Sequence, residues 1–156
     1  MTNNQPTAKE VKLGRDYSFM CENFALITHN FTYLLLEKEG DLIRALYFDS
    51  SNCKYGGPND EAHSGHPLSK YGLGHYGLFE IENSQWINEL MSMNRVHPNH
   101  FDGMYSKCKH YIACFKDEKF ECICTEMKEI SITSSEFSEI CLKEISNLSI
   151  DQIMSR

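Results

Sequence analysis

The chain has no C-x-x-C pair, no H-E-x-x-H, no GxxxxGK[ST] and no GxGxxG after a strand pattern. Those gaps remove the sequence signatures of zinc knuckles, zincin-type metal sites, P-loops and dinucleotide folds. Basic residues are also short, with 15 Lys and Arg against 22 Asp and Glu and a formal net charge of −7. A nucleic-acid binder needs a basic face to release counterions from phosphates, so no nucleic-acid partner is expected. The acidic balance leaves room for a basic protein partner. No apolar run approaches the length of a bilayer span, and no early apolar stretch resembles a signal-peptide core. A cytoplasmic location and no membrane partner are therefore expected. The seven cysteines are an odd number without disulfide-scaffold spacing. They read as small hydrophobes in a reducing compartment.

What the chain does have is one long, punctuated stretch. Cys53 to Gly77 holds six of the nine glycines, two of the four prolines and three of the seven histidines. A loop this long inside a compact domain is uncommon and usually either functional or disordered. Tyr55, Leu68, Tyr71, Leu73 and Tyr76 give it anchors for burial, so it reads as an ordered loop lining a site. At 156 residues the chain suits a single domain, expected over residues 10–150 after a flexible tail over residues 1–9.

Around that loop the pattern is α+β. Val11, Leu13, Tyr17 and Phe19 predict one or two short strands. Ala25, Ile27, His29, Phe31, Tyr33 and Leu35 alternate as the apolar face of a strand, with His29 read as a hydrogen-bonded core histidine. Gly40 suits the left-handed turn before a return strand over Leu42 to Phe48. Leu78 to Glu82 reads as a strand, and Asn83 or Ser84 caps a helix running to about Met93, which cannot pass far beyond Val96 because Pro98 disfavours helical geometry in His97. His110 to Phe115 and Lys119 to Cys124 form a hairpin about Asp117-Glu118, with Phe115 facing Phe120, Ala113 facing Cys122 and Ile112 facing Ile123. Both faces are apolar, so the hairpin is expected to be covered on both sides. A strand near Glu129 to Ile132 and the capping box Thr133 to Glu136 lead into a closing helix. The expected architecture is mainly antiparallel sheet with a mid-chain and a C-terminal helix.

Chemistry concentrates in two histidine-bearing loops, residues 55–76 and 94–100. Pro58 to Ala62 predicts the first turn of a short helix, placing Asn59, Asp60 and Glu61 near His63 and His66. Histidines at His63, His66, His75, His97 and His100 fit no established metal spacing, so neither metal nor cofactor is expected. Glu121, between Phe120 and Cys122, is either a paired carboxylate on a covered face or an acid at a solvated edge. His66 and His97 both precede proline, which restricts their backbones. One shared polar pocket is expected from them, with Asn59, Asp60, Asn94 and Arg95 around it.

The frame Pro58-Asn59-Asp60-Glu61-Ala62, Gly65-His66-Pro67-Leu68, Tyr76, Asn83-Ser84, Trp86-Ile87, Asn94-Arg95-Val96-His97-Pro98, His110 and Phe120-Glu121-Cys122-Ile123 resembles an uncharacterised family of small bacterial proteins. The resemblance covers roughly residues 55–124. It departs at Phe115-Lys116-Asp117, where the family has Phe-His-Asp. It implies a bacterial origin and places His66, His97 and His110, but not His63, His75 or His100, in the shared frame.

Two functional classes follow. One is a binding or interaction module, in an immunity-like or accessory form, whose ligand is a small molecule or a basic protein. Its binding residues would be Asn59, Asp60, Glu61, His66, Tyr76, Asn94, Arg95, His97, His110 and Glu121. The other is a small hydrolase or transferase using His66 with Asp60, Glu61 or Glu121, with or without a metal.

Overall fold

The structure, a computed structural model, describes residues 4–21, 23–50 and 52–149. Among the described residues, nine strands and two α-helices follow one another as β1 (Thr7–Glu10), β2 (Phe24–Ile27), β3 (Thr32–Glu39), β4 (Leu42–Phe48), β5 (Asn52–Gly56), β6 (Gly77–Glu82), α1 (Gln85–Asn94), β7 (Lys109–Cys114), β8 (Lys119–Cys124), β9 (Met127–Thr133) and α2 (Ser134–Ser146). The fold is α+β, as expected, with its strands divided between two antiparallel sheets. One sheet runs β1-β6-β7-β8-β5 and the other β2-β3-β4-β9.

The inner faces of the sheets meet in the main core. Leu34, Leu36, Leu46 and Phe48 from one sheet pack with Leu78, Tyr111, Ala113, Phe115, Phe120, Cys122 and Cys124 from the other. A fully buried aromatic or leucine contributes roughly 1.5–3 kcal/mol, so this layer supplies most of the driving force. A second, smaller cluster lies on the outer face of the five-stranded sheet. Ala8, Leu73, Phe79, Ile81, Ile112 and Cys114 form it, with Leu68 against them. Leu68 and Leu73 belong to the long loop, which is thereby fastened over the sheet. It carries two short 3-10 turns, His63–Gly65 and Ser69–Tyr71, in place of the expected helical turn at Pro58. Asn59 instead closes a side-chain turn by accepting the Ala62 N–H at 3.1 Å.

Several expectations need correcting. The tail expected through Lys9 is already strand from Thr7, because Ala8 is buried and the ladder to Glu82–Phe79 is satisfied. Met1 to Asn3 and Ile150 lie outside the described residues. Val11, Leu13 and Tyr17 form no strand and are half-buried against the main core. The apolar run from Ala25 is two strands. Thr28 turns the chain, its hydroxyl donating to the Phe31 carbonyl and accepting from the Phe31 N–H. His29 therefore sits exposed at a hairpin tip and is not a core histidine. On β3 the even positions Thr32, Leu34 and Leu36 face the core, while Tyr33 meets Phe137 of α2 on the other side. Both faces of that strand are apolar, and alternation alone picks out only one.

The β7–β8 register is displaced by two residues from the expected one. Phe115 N–H donates to the Glu118 carbonyl at 2.9 Å, so the turn lies on Lys116-Asp117. Ala113 pairs with Phe120, Tyr111 with Cys122 and Ile112 with Glu121. A shift of two preserves the faces, because side chains alternate with period two. It changes what stands beside Glu121.

Candidate functional site

Glu121 is placed by simple alternation. Phe120 and Cys122 take the inner face of β8, so the carboxylate between them must point outward, beneath the long loop. On the flanking strands Ile112 and Lys54 stand directly opposite it. The carboxylate, 16% exposed, is gripped from two sides. His110 Nε2 donates to Oε2 at 3.0 Å, and His66 Nε2 donates to Oε1 at 3.4 Å.

Both rings are fixed from behind. His66 Nδ1 accepts the Leu68 N–H at 3.2 Å, which puts the neutral ring's proton on Nε2. His110 Nδ1 lies 2.8 Å from Ser84 Oγ, which already accepts the Ile87 N–H as the cap of α1. The hydroxyl proton is thus free to be donated to His110. The result is a continuous chain, Ser84–His110–Glu121–His66–Leu68 N–H, in which the four imidazole nitrogens and both carboxylate oxygens have partners. Burial alone would raise the Glu121 pKa. The hydrogen bonds from His110 and His66, then the electrostatic pull of the His110 ring and of the Lys54 ammonium, outweigh it and bring the value from 4.5 down to about 2.

Beside this chain lies an open cleft of about 280 Å³ bordered by Lys54, Pro67, Leu68, Ile81, Trp86 and Glu89, with His66, His110 and Glu121 along one wall. The Lys54 ammonium sits 4.0 Å from the centre of the Trp86 ring, and Trp86 meets His110 edge-on at 5.3 Å. Cleft and network are thus joined through one indole. Among the described residues, no group of three or more His, Cys, Asp and Glu side chains is arranged to hold a metal ion.

Of the residues expected at the site, the structure brings together His66, His110 and Glu121. The others lie elsewhere. Asp60 accepts the Tyr76 hydroxyl at 2.5 Å, which holds its carboxyl below the usual range, and its N–H donates to the Lys116 carbonyl at the hairpin end. Glu61 is exposed. Asn94 bonds His100 Nδ1 at 2.9 Å, and His100 with Arg95 holds Asp102 in a cluster of its own. His97 is exposed, and its Nδ1 accepts the Asn99 N–H. No residue of the 94–100 loop borders the cleft, so His97 is not part of the wall that His66 forms. Proline after each histidine fixes local backbone and carries no information about which surface a turn faces. The consequence is testable. His97→Ala is expected to cost under about 0.5 kcal/mol, and paired with His66→Ala the two losses should add. A double-mutant cycle by urea unfolding would expose any coupling.

Lys54, Ser84 and Trp86 belong to the site although their sequence roles were loop, cap and apolar stripe. The available signal is the period of β5. With Cys53 inward, Lys54 must share the face of Glu121. His63 has a structural place: Nε2 donates to the Leu73 carbonyl at 2.9 Å and its ring stacks on His75 at 4.2 Å. Burial pushes its pKa down. The chain matches no protein-family model, and neither a curated protein nor a solved structure matches it significantly.

Proposed function

We propose that this chain is a binding module of bacterial origin, acting in the cytoplasm, whose recognition site is the cleft between Lys54, Leu68, Trp86 and the His66–Glu121–His110 wall. The observation that carries this reading is the saturation of the polar wall. A general base needs a free lone pair aimed at substrate, and a metal needs a free ring nitrogen. Here each imidazole nitrogen is already engaged by Glu121, Ser84 or the Leu68 N–H. Such a wall is rigid and preorganised, which favours recognition over proton transfer. The cleft volume suits a fragment-sized ligand or one side chain of a partner. Lys54 and the Trp86 face offer it a cation and an aromatic surface.

The test uses the chain's only tryptophan. Aromatic carboxylates of fragment size, screened by NMR, should shift the Trp86 indole N–H and the His66 ring together, and Lys54→Ala should weaken the response. Absence of any such shift, combined with turnover of p-nitrophenyl acetate that disappears in His66→Ala, would favour the hydrolase reading instead.

A basic protein partner is a second reading, in line with an immunity-like or accessory role. A groove of about 750 Å³ between the β2–β3 turn and α2 supports it, bordered by Ile27, Ile145 and Leu148, which are largely exposed. Glu136, Glu139 and Glu144 outnumber Lys143 on that helix. A basic amphipathic peptide should shift α2 resonances, and Ile145→Asp should abolish the effect. Peptide shifts confined to the cleft would count against this partner surface.

A further inference from the structure

We propose that Cys53 and Cys122 form a thiol–disulfide site, resting as two thiols and converted to an intrachain bridge by hydrogen peroxide. This reading is independent of the cleft's ligand. Strand β5 pairs with β8 so that Cys53 stands directly opposite Cys122. Facing residues of an antiparallel ladder have Cα atoms about 4.5–5.5 Å apart, inside the range of about 4.4–6.8 Å that a disulfide spans. The two sulfurs are 3.6 Å apart. No other two cysteines face each other across a ladder among the described residues.

The two thiols differ in a way that divides the work. Cys53 is half-buried on an edge strand, whereas Cys122 is fully buried one strand further in. A small oxidant can therefore meet Cys53 first. The Cys122 thiol beside it holds the Cys53 pKa down, against burial and with help from the Thr32 hydroxyl 3.3 Å away. Hydrogen bonds with its neighbouring thiols, together with burial, push Cys122 up. Cys53 thiolate attacks one peroxide oxygen, the O–O bond breaks, and hydroxide leaves and takes up a proton as water. Cys122 sulfur then attacks the Cys53 sulfenic sulfur. The S–O bond breaks, the Cys122 proton goes to the departing hydroxide, and a second water completes the balance: two thiols and one peroxide give one disulfide and two waters.

The bridge would tie edge strand β5 to β8. That strand also presents Lys54 to the cleft, so the modification lies one residue from the candidate recognition surface.

The experiment treats the full reduced chain with hydrogen peroxide, alkylates the remaining thiols and maps peptides without reductant. The expected result is one linked peptide containing Cys53 and Cys122, the other five cysteines alkylated, and full reversal by dithiothreitol. In Cys122→Ser the reaction should stop at a sulfenic acid on Cys53, trapped by dimedone. Should that variant fail to fold, the map of the unsubstituted chain decides alone. A bridge between any other pair, or over-oxidised Cys53 without a link to Cys122, would overturn the proposal. So would loss of the exposed Cys21 thiol while Cys53 and Cys122 stay alkylatable.

Discussion

Glu121→Gln is expected to lower stability by about 2–3 kcal/mol, read as a fall in the urea midpoint at neutral pH. The substitution keeps size and shape but turns one acceptor oxygen into an NH₂ group. That group faces an imidazole N–H, so one histidine loses its partner and two donors confront each other. The charge that Lys54 and the ring dipoles stabilise disappears as well. A surface carboxylate would show nothing comparable, since exposed ion pairs are worth about 0–1 kcal/mol. The pH profile gives the same residue a second signature. Its folded-state pKa lies below the ordinary value, so its contribution is complete above about pH 4.5 and is lost as pH falls toward 2. Unfolding free energy of the unsubstituted chain should therefore decline through that window. Glu121→Gln should lose this component of the slope and keep the components from other carboxylates, such as Asp49 and Asp60.

Gly74→Ala is expected to cost about 1–3 kcal/mol, although it adds only one methyl group. A Cβ at this position would stand 2.6 Å from Cζ of Phe79, whose ring is buried in the smaller core under the long loop. The ring cannot give way without disturbing Ile81, Ile112 and Leu73 in the same cluster. Gly57→Ala is the control in the same loop, since a Cβ there meets nothing within 4 Å. It should unfold close to the unsubstituted midpoint. Because the lack of a side chain at Gly74 lets the loop lie against Phe79, and the same loop carries His66, Gly74→Ala should also disturb the His66 ring resonances before the protein unfolds. Equal effects of the two alanines would contradict the close approach at Gly74.

How legible all this is in the sequence depends on how many faces an element covers. The hairpin return from Leu42 to Phe48 and the turn at Gly40 are readable, because alternation and a left-handed glycine both point the same way. Strand β3 is harder, since the core claims Leu34 and Leu36 while α2 claims Tyr33, and either half of the pattern looks like the buried one. The β7–β8 register slips by two for a related reason. Lys116-Asp117 and Asp117-Glu118 are equally good turn pairs, and a shift of two leaves every face unchanged. Glu121 is readable as an outward residue on a covered strand, but the cover is supplied by a loop some fifty residues away in sequence. The alternation Cys53-Lys54-Tyr55 carries the face of Lys54, yet it is hidden when the segment is read as the start of a loop. His97 is the opposite case. Its dipeptide matches that of His66, and nothing local distinguishes a turn docked on the sheet from one facing water.

The central claim is that the histidine–carboxylate wall is closed, with both rings locked in one tautomer by partners on each side. Long-range ¹H–¹⁵N correlation spectra of the imidazoles at neutral pH test it most directly. The account predicts that His66 and His110 both carry their proton on Nε2 with Nδ1 bare. A proton on Nδ1 of His66 or His110, or free-ring averaging at either, would contradict it.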